Sequence, residues 1–449
     1  PAAVRMEGSL DLEALRQSLN TIVRRHEVLR TTFATRDGDP VQVVAPTGEV
    51  ALPQTDLQGL PDQQRESAAL EAIARDARQP FDLERGPLLR MRLFQLDGDR
   101  YVVSLVMHHI VSDAWSIAIF IQELATLYEA LTSDKSPQLP EQSIQYADFA
   151  AWQRQWFQGH VLHSQLSYWQ RQLANAPTRL ALPIKQDAPD SPSYRGARYP
   201  LTLSASVRDG IDRLARAAGA TRFMTLLGGF AVLLHCYSRQ TDILVGSPVA
   251  NRRLAEVEGA IGFFINTLVL RTNLEGNPSF RELLDRVRTM TLEAYTHQDL
   301  PFEKLVESLP VERKRGENPL FRVWFVLQNT PKSELALPGL TLTPLSVENQ
   351  TARHDLNLNL SETPEGFRGF LEYKTDLFEA TTIERMASEL ARVLEWVVEH
   401  PDIKLDAIAR RLNECTQQQY QQQAQNYQTT RREKLAKIKR RSARRKSKH

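Results

Sequence analysis

The sequence predicts an α/β protein of two similar lobes, each a sheet layered with helices. Three observations carry that prediction. The chain has 449 residues, more than one hydrophobic core usually serves. Apolar runs with the two-residue period of strands alternate with runs at helical spacing. An irregular stretch at 175–193 divides the chain, and the element order before it is echoed after it, though no residue-level repeat is visible.

In chain order, Leu10, Leu12, Leu15, Leu19, Ile22 and Val23 recur near helical spacing and predict a helix over 9–24. Residues 40–44 and 88–96 read as strands, with a helix over 61–78 between them. The apolar run 101–107 predicts a strong strand, followed by a loop at 108–114. A helix over 115–131 follows, with Trp115, Ile119, Leu124, Leu127 and Leu131 expected on its buried face. Two more helices fit 146–157 and 163–174. The stretch 175–193 is rich in Pro, Asp and Ser and reads as a linker. Beyond it come a strand at 198–203, one long helix over 205–237 and a strand at 242–247. The expected organisation is therefore a first lobe over 1–178, a linker over 179–193, a second lobe over 194–412 and a tail over 413–449.

Composition narrows the function classes. Hydrophobic residues make up 42% and charged residues 24%, the balance of a globular protein. No run reaches the ~18 apolar residues of a membrane helix, and the first residues lack a signal-peptide layout. The chain opens on Pro1 with no Met and reads as a fragment. Two cysteines, Cys236 and Cys415, leave no disulfide framework and no cysteine-based zinc site, which suits the reducing cytoplasm. The net charge of +2 hides an asymmetry: residues 413–449 carry 11 Lys+Arg against 2 Asp+Glu, and the remainder 45 against 52. The body is acidic and the tail basic, so nucleic acid is not the expected partner; a linker or docking role suits the tail. Eight Gln crowd 413–430, a low-complexity segment that cannot build a core.

The most informative stretch is His108-His109-Ile110-Val111-Ser112-Asp113-Ala114. Two histidines stand where a buried strand ends, and Asp113 stands where a helix begins, a good N-cap position. A helix N-terminus disfavours an imidazolium nearby, and a neutral imidazole is what a general base needs. A satisfied structural pair, or half of a metal site, also fits the spacing. The metal reading is weaker, because no second ligand cluster is visible and neighbouring strand residues point to opposite faces.

That stretch resembles the HHxxxDG signature of nonribosomal peptide synthetase condensation domains, shared with the wider chloramphenicol acetyltransferase-like superfamily. Further segments resemble that family's motifs in order: Arg25-His26-Glu27-Val28-Leu29-Arg30-Thr31-Thr32-Phe33, Tyr146-Ala147-Asp148-Phe149-Ala150-Ala151-Trp152-Gln153, Ile261-Gly262-Phe263-Phe264-Ile265-Asn266-Thr267-Leu268, His297-Gln298-Asp299-Leu300-Pro301-Phe302-Glu303 and Asn318-Pro319-Leu320-Phe321. The family's first motif, expected before Pro1, does not occur in the chain.

The resemblance implies two chloramphenicol acetyltransferase-like subdomains in a V around a central tunnel. It implies an acyltransferase that joins a donor thioester on one peptidyl carrier protein to the amine of an acceptor on another. The substrates would arrive on phosphopantetheine arms, with no cofactor or metal bound by the domain itself, and adenylation domains would be neighbours. His109 would face the tunnel and contact the attacking amine, His108 would be structural, and the backbone N–H at Ala114 would stabilise the oxyanion. Asp113 would hold the loop through an ion pair with an arginine, for which Arg30 is the candidate. Trp115, Asn266 and His354 are candidate tunnel-side residues, each with a packing or turn role as its alternative.

Two positions depart from the family pattern. Ala114 replaces the expected glycine, adding a methyl group and disfavouring positive φ. Arg353-His354-Asp355-Leu356 carries His where Phe is usual. The two histidines argue against a heterocyclising type, and Asp113-Ala114-Trp115-Ser116 fits a condensing type with an L-configured donor. Two rivals remain: a catalytically silent module that recruits a partner enzyme, and a stand-alone or ester-forming acyltransferase.

Overall fold

The alternation of apolar residues builds two large sheets, beside a separate two-stranded one. A computed structural model of the chain describes residues 1–133, 135–189, 193–312, 317–328, 337–347 and 350–418. The first half runs β1 (Ala2–Gly8), α1 (Leu12–Arg25), β2 (Thr31–Arg36), β3 (Asp39–Val44), β4 (Gln54–Asp56), α2 (Asp62–Ala77), β5 (Leu89–Gln95), β6 (Arg100–Met107), α3 (Ala114–Thr132), α4 (Tyr146–Trp156) and α5 (Gly159–Gln172). The second runs β7 (Gly196–Ser204), α6 (Ala205–Ala217), α7 (Arg222–Ser238), β8 (Asp242–Val249), β9 (Asn266–Asn273), α8 (Phe280–Thr296), α9 (Phe302–Ser308), β10 (Val323–Gln328), β11 (Leu340–Leu345), β12 (Leu356–Thr363), β13 (Gly366–Lys374) and α10 (Ala380–Glu399).

The first sheet has the order β11-β1-β6-β5-β4. One face packs Met6, Leu89, Met91, Leu93, Val103 and Leu105 against Leu15, Leu19 and Ile22 of α1 and Phe120, Leu124 and Leu127 of α3. The other packs Ala3, Phe94 and Val102 against Ala69 and Ile73 of α2. Strand β6 is thus covered on both faces, which is why 101–107 reads as one apolar run. The second sheet has the order β7-β13-β12-β10-β8-β9, with β10 parallel to both β8 and β12. Leu201, Leu371, Leu358, Phe325 and Val245 share its core with Phe230, Leu234, Leu390 and Leu394 of α7 and α10.

Several expectations change. The predicted helix over 205–237 is two helices bent by 107°. Gly219 at φ +58° ends the first, and Thr221 caps the second by accepting from Met224 N–H at 3.2 Å. On α3 the buried face runs through Ser116, Phe120, Glu123, Leu124, Leu127 and Tyr128, and Trp115 and Leu131 are only half-buried. Strands β1 and β11 were not foreseen. They pair antiparallel along Ala3–Gly8, so a strand from the second half forms an edge of the first sheet. Helix α5 sends Tyr168 and Trp169 into the second core. Of the expected tail, 413–418 continues a helix that begins at 405, and 419–449 lies outside the described residues. Among the described residues no single helix is long and apolar enough to cross a membrane.

Candidate active site

The site forms where β6 delivers the chain to α3. His108 ends the strand and His109–Val111 make one 3-10 turn. His108 Nδ1 accepts from the Ile110 N–H at 3.1 Å, and its ring stands edge-on to Phe81 at 5.8 Å. Burial, then the neighbouring His109, lowers its pKa below the ordinary histidine value, so His108 stays neutral and shapes the turn.

His109 has the opposite environment. Its side chain is exposed, and its ring meets Phe263 edge-on at 5.1 Å. Nδ1 lies 2.5 Å from the Ser112 carbonyl oxygen. A carbonyl only accepts, so Nδ1 carries the proton and donates it. Nε2 of the neutral ring therefore presents a lone pair, the tautomer a general base requires.

Asp113 caps α3, with Oδ1 accepting from Ser116 N–H and Ser116 Oγ, each at 2.8 Å. Oδ2 accepts from Phe264 N–H at 3.1 Å. Its ionic partner is Arg252, Nη2 to Oδ1 at 3.3 Å, with side chains 1% and 3% exposed respectively. Arg252 also donates to the carbonyls of Val257 at 2.6 Å and Ala260 at 2.7 Å, and lies 4.0 Å over the Phe264 ring. The expected pairing of Asp113 with Arg30 is corrected. Arg30 closes its own turn, donating to the Ala45 carbonyl and to Glu27, because the β2–β3 pairing brings Ala45 beside it.

The loop 258–264 fastens the second half to this helix start. Trp115 Nε1–H donates to the Glu258 carbonyl at 3.0 Å. Gly262 N–H donates to Ser116 Oγ at 3.0 Å, and Tyr146 OH donates to the Phe263 carbonyl at 3.0 Å. Gly262 is required by close approach, since a Cβ there would lie 2.3 Å from Tyr146 Cδ2. The second, fourth and fifth motifs meet here: Gln145 donates to the Arg25 carbonyl at 3.0 Å, and Tyr146, Phe149 and Phe264 pack together. Ala114 is the first residue of α3 and is not among the residues with positive φ, so the methyl group is accommodated in a conformation alanine favours.

The other candidates have structural partners of their own. Asn266 is buried, and its amide is fully used. Nδ2 donates to the carbonyls of Gln298 and Leu300, each at 2.7 Å, and Oδ1 accepts from the N–H groups of Phe302 and Thr267. It clamps the sixth motif to β9, which corrects the tunnel-side reading. Trp115 spends its N–H on the latch. His354 stacks on Trp324 at 4.7 Å and 4°. His297 stacks on Tyr168 at 3.9 Å. Trp152 stacks on Trp156 at 5.3 Å, both partly exposed. Burial raises the Cys236 thiol to about 12, leaving it unreactive. Sequence reasoning missed Arg252, Ser116 and Phe263. The only cue was an arginine pair, Arg252-Arg253, in the loop after an apolar strand. Among the described residues no group of three or more His, Cys, Asp or Glu side chains is arranged to hold a metal.

Comparison with known proteins decides the family. The family model described as Condensation domain matches residues 1–420. The chain belongs to the condensation domain family. This condensation domain is 48% identical over 91% of its length to a component of linear gramicidin synthase from Brevibacillus parabrevis, and 42% identical over 91% to the chondramide synthase cmdD of Chondromyces crocatus. It spans only 5% and 10% of those relatives' own lengths. Among solved structures it resembles the X-domain from teicoplanin biosynthesis, with a TM-score of 0.83 at 29% identity over 90% of this chain and 91% of that one. The four-domain nonribosomal peptide synthetase AB3403 shares the fold, with a TM-score of 0.80 at 24% identity over 90% of this chain and 31% of that one. The mixed helix-and-sheet architecture is the chloramphenicol acetyltransferase-like fold of those structures.

Proposed function

We propose that this condensation domain catalyses amide bond formation between a donor thioester on one carrier protein and the amine of an acceptor on another. The first lobe (1–178) and second lobe (194–412), joined by 179–193, would enclose a tunnel reached by both phosphopantetheine arms, in a cytoplasmic synthetase with adenylation domains as neighbours. The observation that carries this reading is the His109 tautomer. With Nδ1–H held by the Ser112 carbonyl, the neutral ring has its lone pair at Nε2, on an exposed residue in the turn before α3.

The chemistry follows from that atom. The amine nitrogen attacks the thioester carbonyl carbon, and Nε2 of His109 accepts the proton the nitrogen sheds. Negative charge on the carbonyl oxygen is stabilised by the Ala114 N–H, one of the unpaired donors at a helix N-terminus. The C–S bond then breaks, the sulfur takes the proton back from His109, and the products are an amide and a free carrier thiol. A free α-amino group has a pKa near ~8, so an adjacent base is useful at neutral pH. A positioned base contributes about 10²–10⁴-fold, and holding both tethered reactants together contributes at least comparably. Asp113 and Arg252 act by holding the turn that places His109.

One observation favours a second reading. A structure like this one is the X-domain in complex with OxyB, with a TM-score of 0.82, and Ala114 departs from the family glycine. A silent recruiting module would form no amide and would bind a partner enzyme. Incubation of two loaded carriers with this domain, followed by mass analysis of the product, separates the readings: an amide supports condensation, an ester supports the ester-forming alternative, and no product with wild type contradicts both.

A further inference from the structure

The His109 ring has two orienting partners, and they come from different halves of the chain. The Ser112 carbonyl, in its own turn, accepts from Nδ1–H. The Phe263 ring, from the loop before β9, meets it at 5.1 Å and 78°. A hydrogen bond at one ring atom leaves the imidazole free to tilt about that atom. An aromatic neighbour set edge-on limits the tilt.

The backbone around Phe263 is pinned to the start of α3. Gly262 N–H donates to Ser116 Oγ at 3.0 Å, and Phe264 N–H donates to Asp113 Oδ2 at 3.1 Å. Between them the Phe263 carbonyl accepts from Tyr146 OH at 3.0 Å. The flanking side chains turn inward. Ile261 is buried in the first core, and Phe264 is buried against Tyr146 at 5.2 Å and Phe149 at 4.8 Å. Phe263 stays half-buried. Core packing does not account for a large apolar ring left half in water on so firmly held a backbone. Contact with His109 does.

The contact bears on which atom of His109 holds the proton. If the ring tilts away from Ser112, Nδ1–H loses its acceptor, and nothing in the turn then selects between the two neutral tautomers. The tautomer with its proton on Nε2 has no lone pair there. An edge-on aromatic contact is worth about two- to tenfold in the population of the held ring. We propose that Phe263 is a positioning residue supplied by the second half of the chain. Its ring keeps His109 on Ser112, so the Nε2 lone pair is presented only while the 258–264 loop is latched to α3. In turnover the proposal rests on the condensation reading, whereas the state of the ring can be read without it.

Two measurements test it. The first needs no turnover: nitrogen NMR shifts of the imidazole in the full chain at about pH 9, above the ordinary histidine value, with the His109 signals assigned by their loss in His109→Ala. Wild type should carry its proton on Nδ1. Phe263→Leu and Phe263→Met remove the ring but keep apolar bulk, and should move both nitrogens toward averaged values. Phe263→Tyr keeps the ring and should restore them. Wild-type shifts in the Leu and Met variants overturn the proposal, even where Tm falls, and so does a wild type protonated on Nε2. The second measurement is amide formation between loaded carriers. The Leu and Met variants should lose about two- to tenfold in kcat with KM unchanged, Phe263→Tyr should recover the loss, and Phe263→Leu combined with His109→Ala should be no slower than His109→Ala alone. A change in KM only, or a further loss in the double variant, would mean that the ring acts apart from His109 and overturns the proposal. A wild type that forms no amide ends the condensation reading, and the nitrogen shifts still decide whether Phe263 holds the ring.

Discussion

At the scale of single residues, function rests on which atom holds a proton and which charge has a partner. Asp113 and Arg252 are both almost fully buried, so removing one strands the other. Arg252→Met or Asp113→Ala should each cost about 3–5 kcal/mol in urea denaturation. Arg30→Ala, which loses only local contacts, should cost about 1 kcal/mol or less; a larger loss than for Arg252→Met would restore the sequence-based pairing. His354 sets a pH dependence. Its folded pKa, lowered to about 3, lies below the unfolded value near ~6.5. Between those values the unfolded chain binds a proton the folded chain does not, so stability falls as the solution is acidified from about pH 6.5 toward 3. His354→Phe should flatten this limb of Tm against pH; an identical limb in the variant would contradict the assignment. The reactive pair and the helix cap were legible because they are adjacent in sequence and chemically unusual. Arg252 was not, because it reaches Asp113 across 139 residues, and no periodicity encodes a contact of that span.

At the scale of elements, the loop 258–264 is the part that joins the two halves at the active helix. Its fit depends on the bare Cα of Gly262 against Tyr146. Gly262→Ala should destabilise the chain by about 1–3 kcal/mol through overpacking and lower amide formation by displacing Phe263 from His109. Full activity and unchanged stability would show that the loop adapts. Helices and strands with clear periods were legible in the sequence, β6 and α1 above all. The break between α6 and α7 was missed because apolar residues recur at helical spacing in both, α6 with one buried face and α7 buried nearly all round, so the pattern reads through it; Gly219 and Thr221 were the available signals. Strand β1 is short and mixed in polarity, carrying Arg5 and Glu7 beside Ala3 and Met6, so alternation alone did not mark it.

At the scale of the whole molecule, the two cores are not sequential. Strand β11 from the second half completes the first sheet, and α5 from the first half packs into the second core. Each half lends the other a structural part. Denaturant unfolding should therefore be a single transition when followed by Trp169 in one core and Tyr128 in the other through paired fluorescence variants; two separated midpoints would contradict this coupling. The sequence echo suggested two similar lobes because element order survives a swap of edges, whereas strand exchange leaves no trace in composition.

The most direct test of the account is single-turnover amide formation between two loaded carriers, comparing wild type with His109→Ala across pH. The account predicts a loss of about 10²–10⁴-fold at pH 7, a Tm lowered only by the worth of one hydrogen bond and one ring contact, and a gap that narrows toward pH 9 as the acceptor amine loses its own proton. A variant that condenses at the wild-type rate at pH 7 would contradict the role of His109.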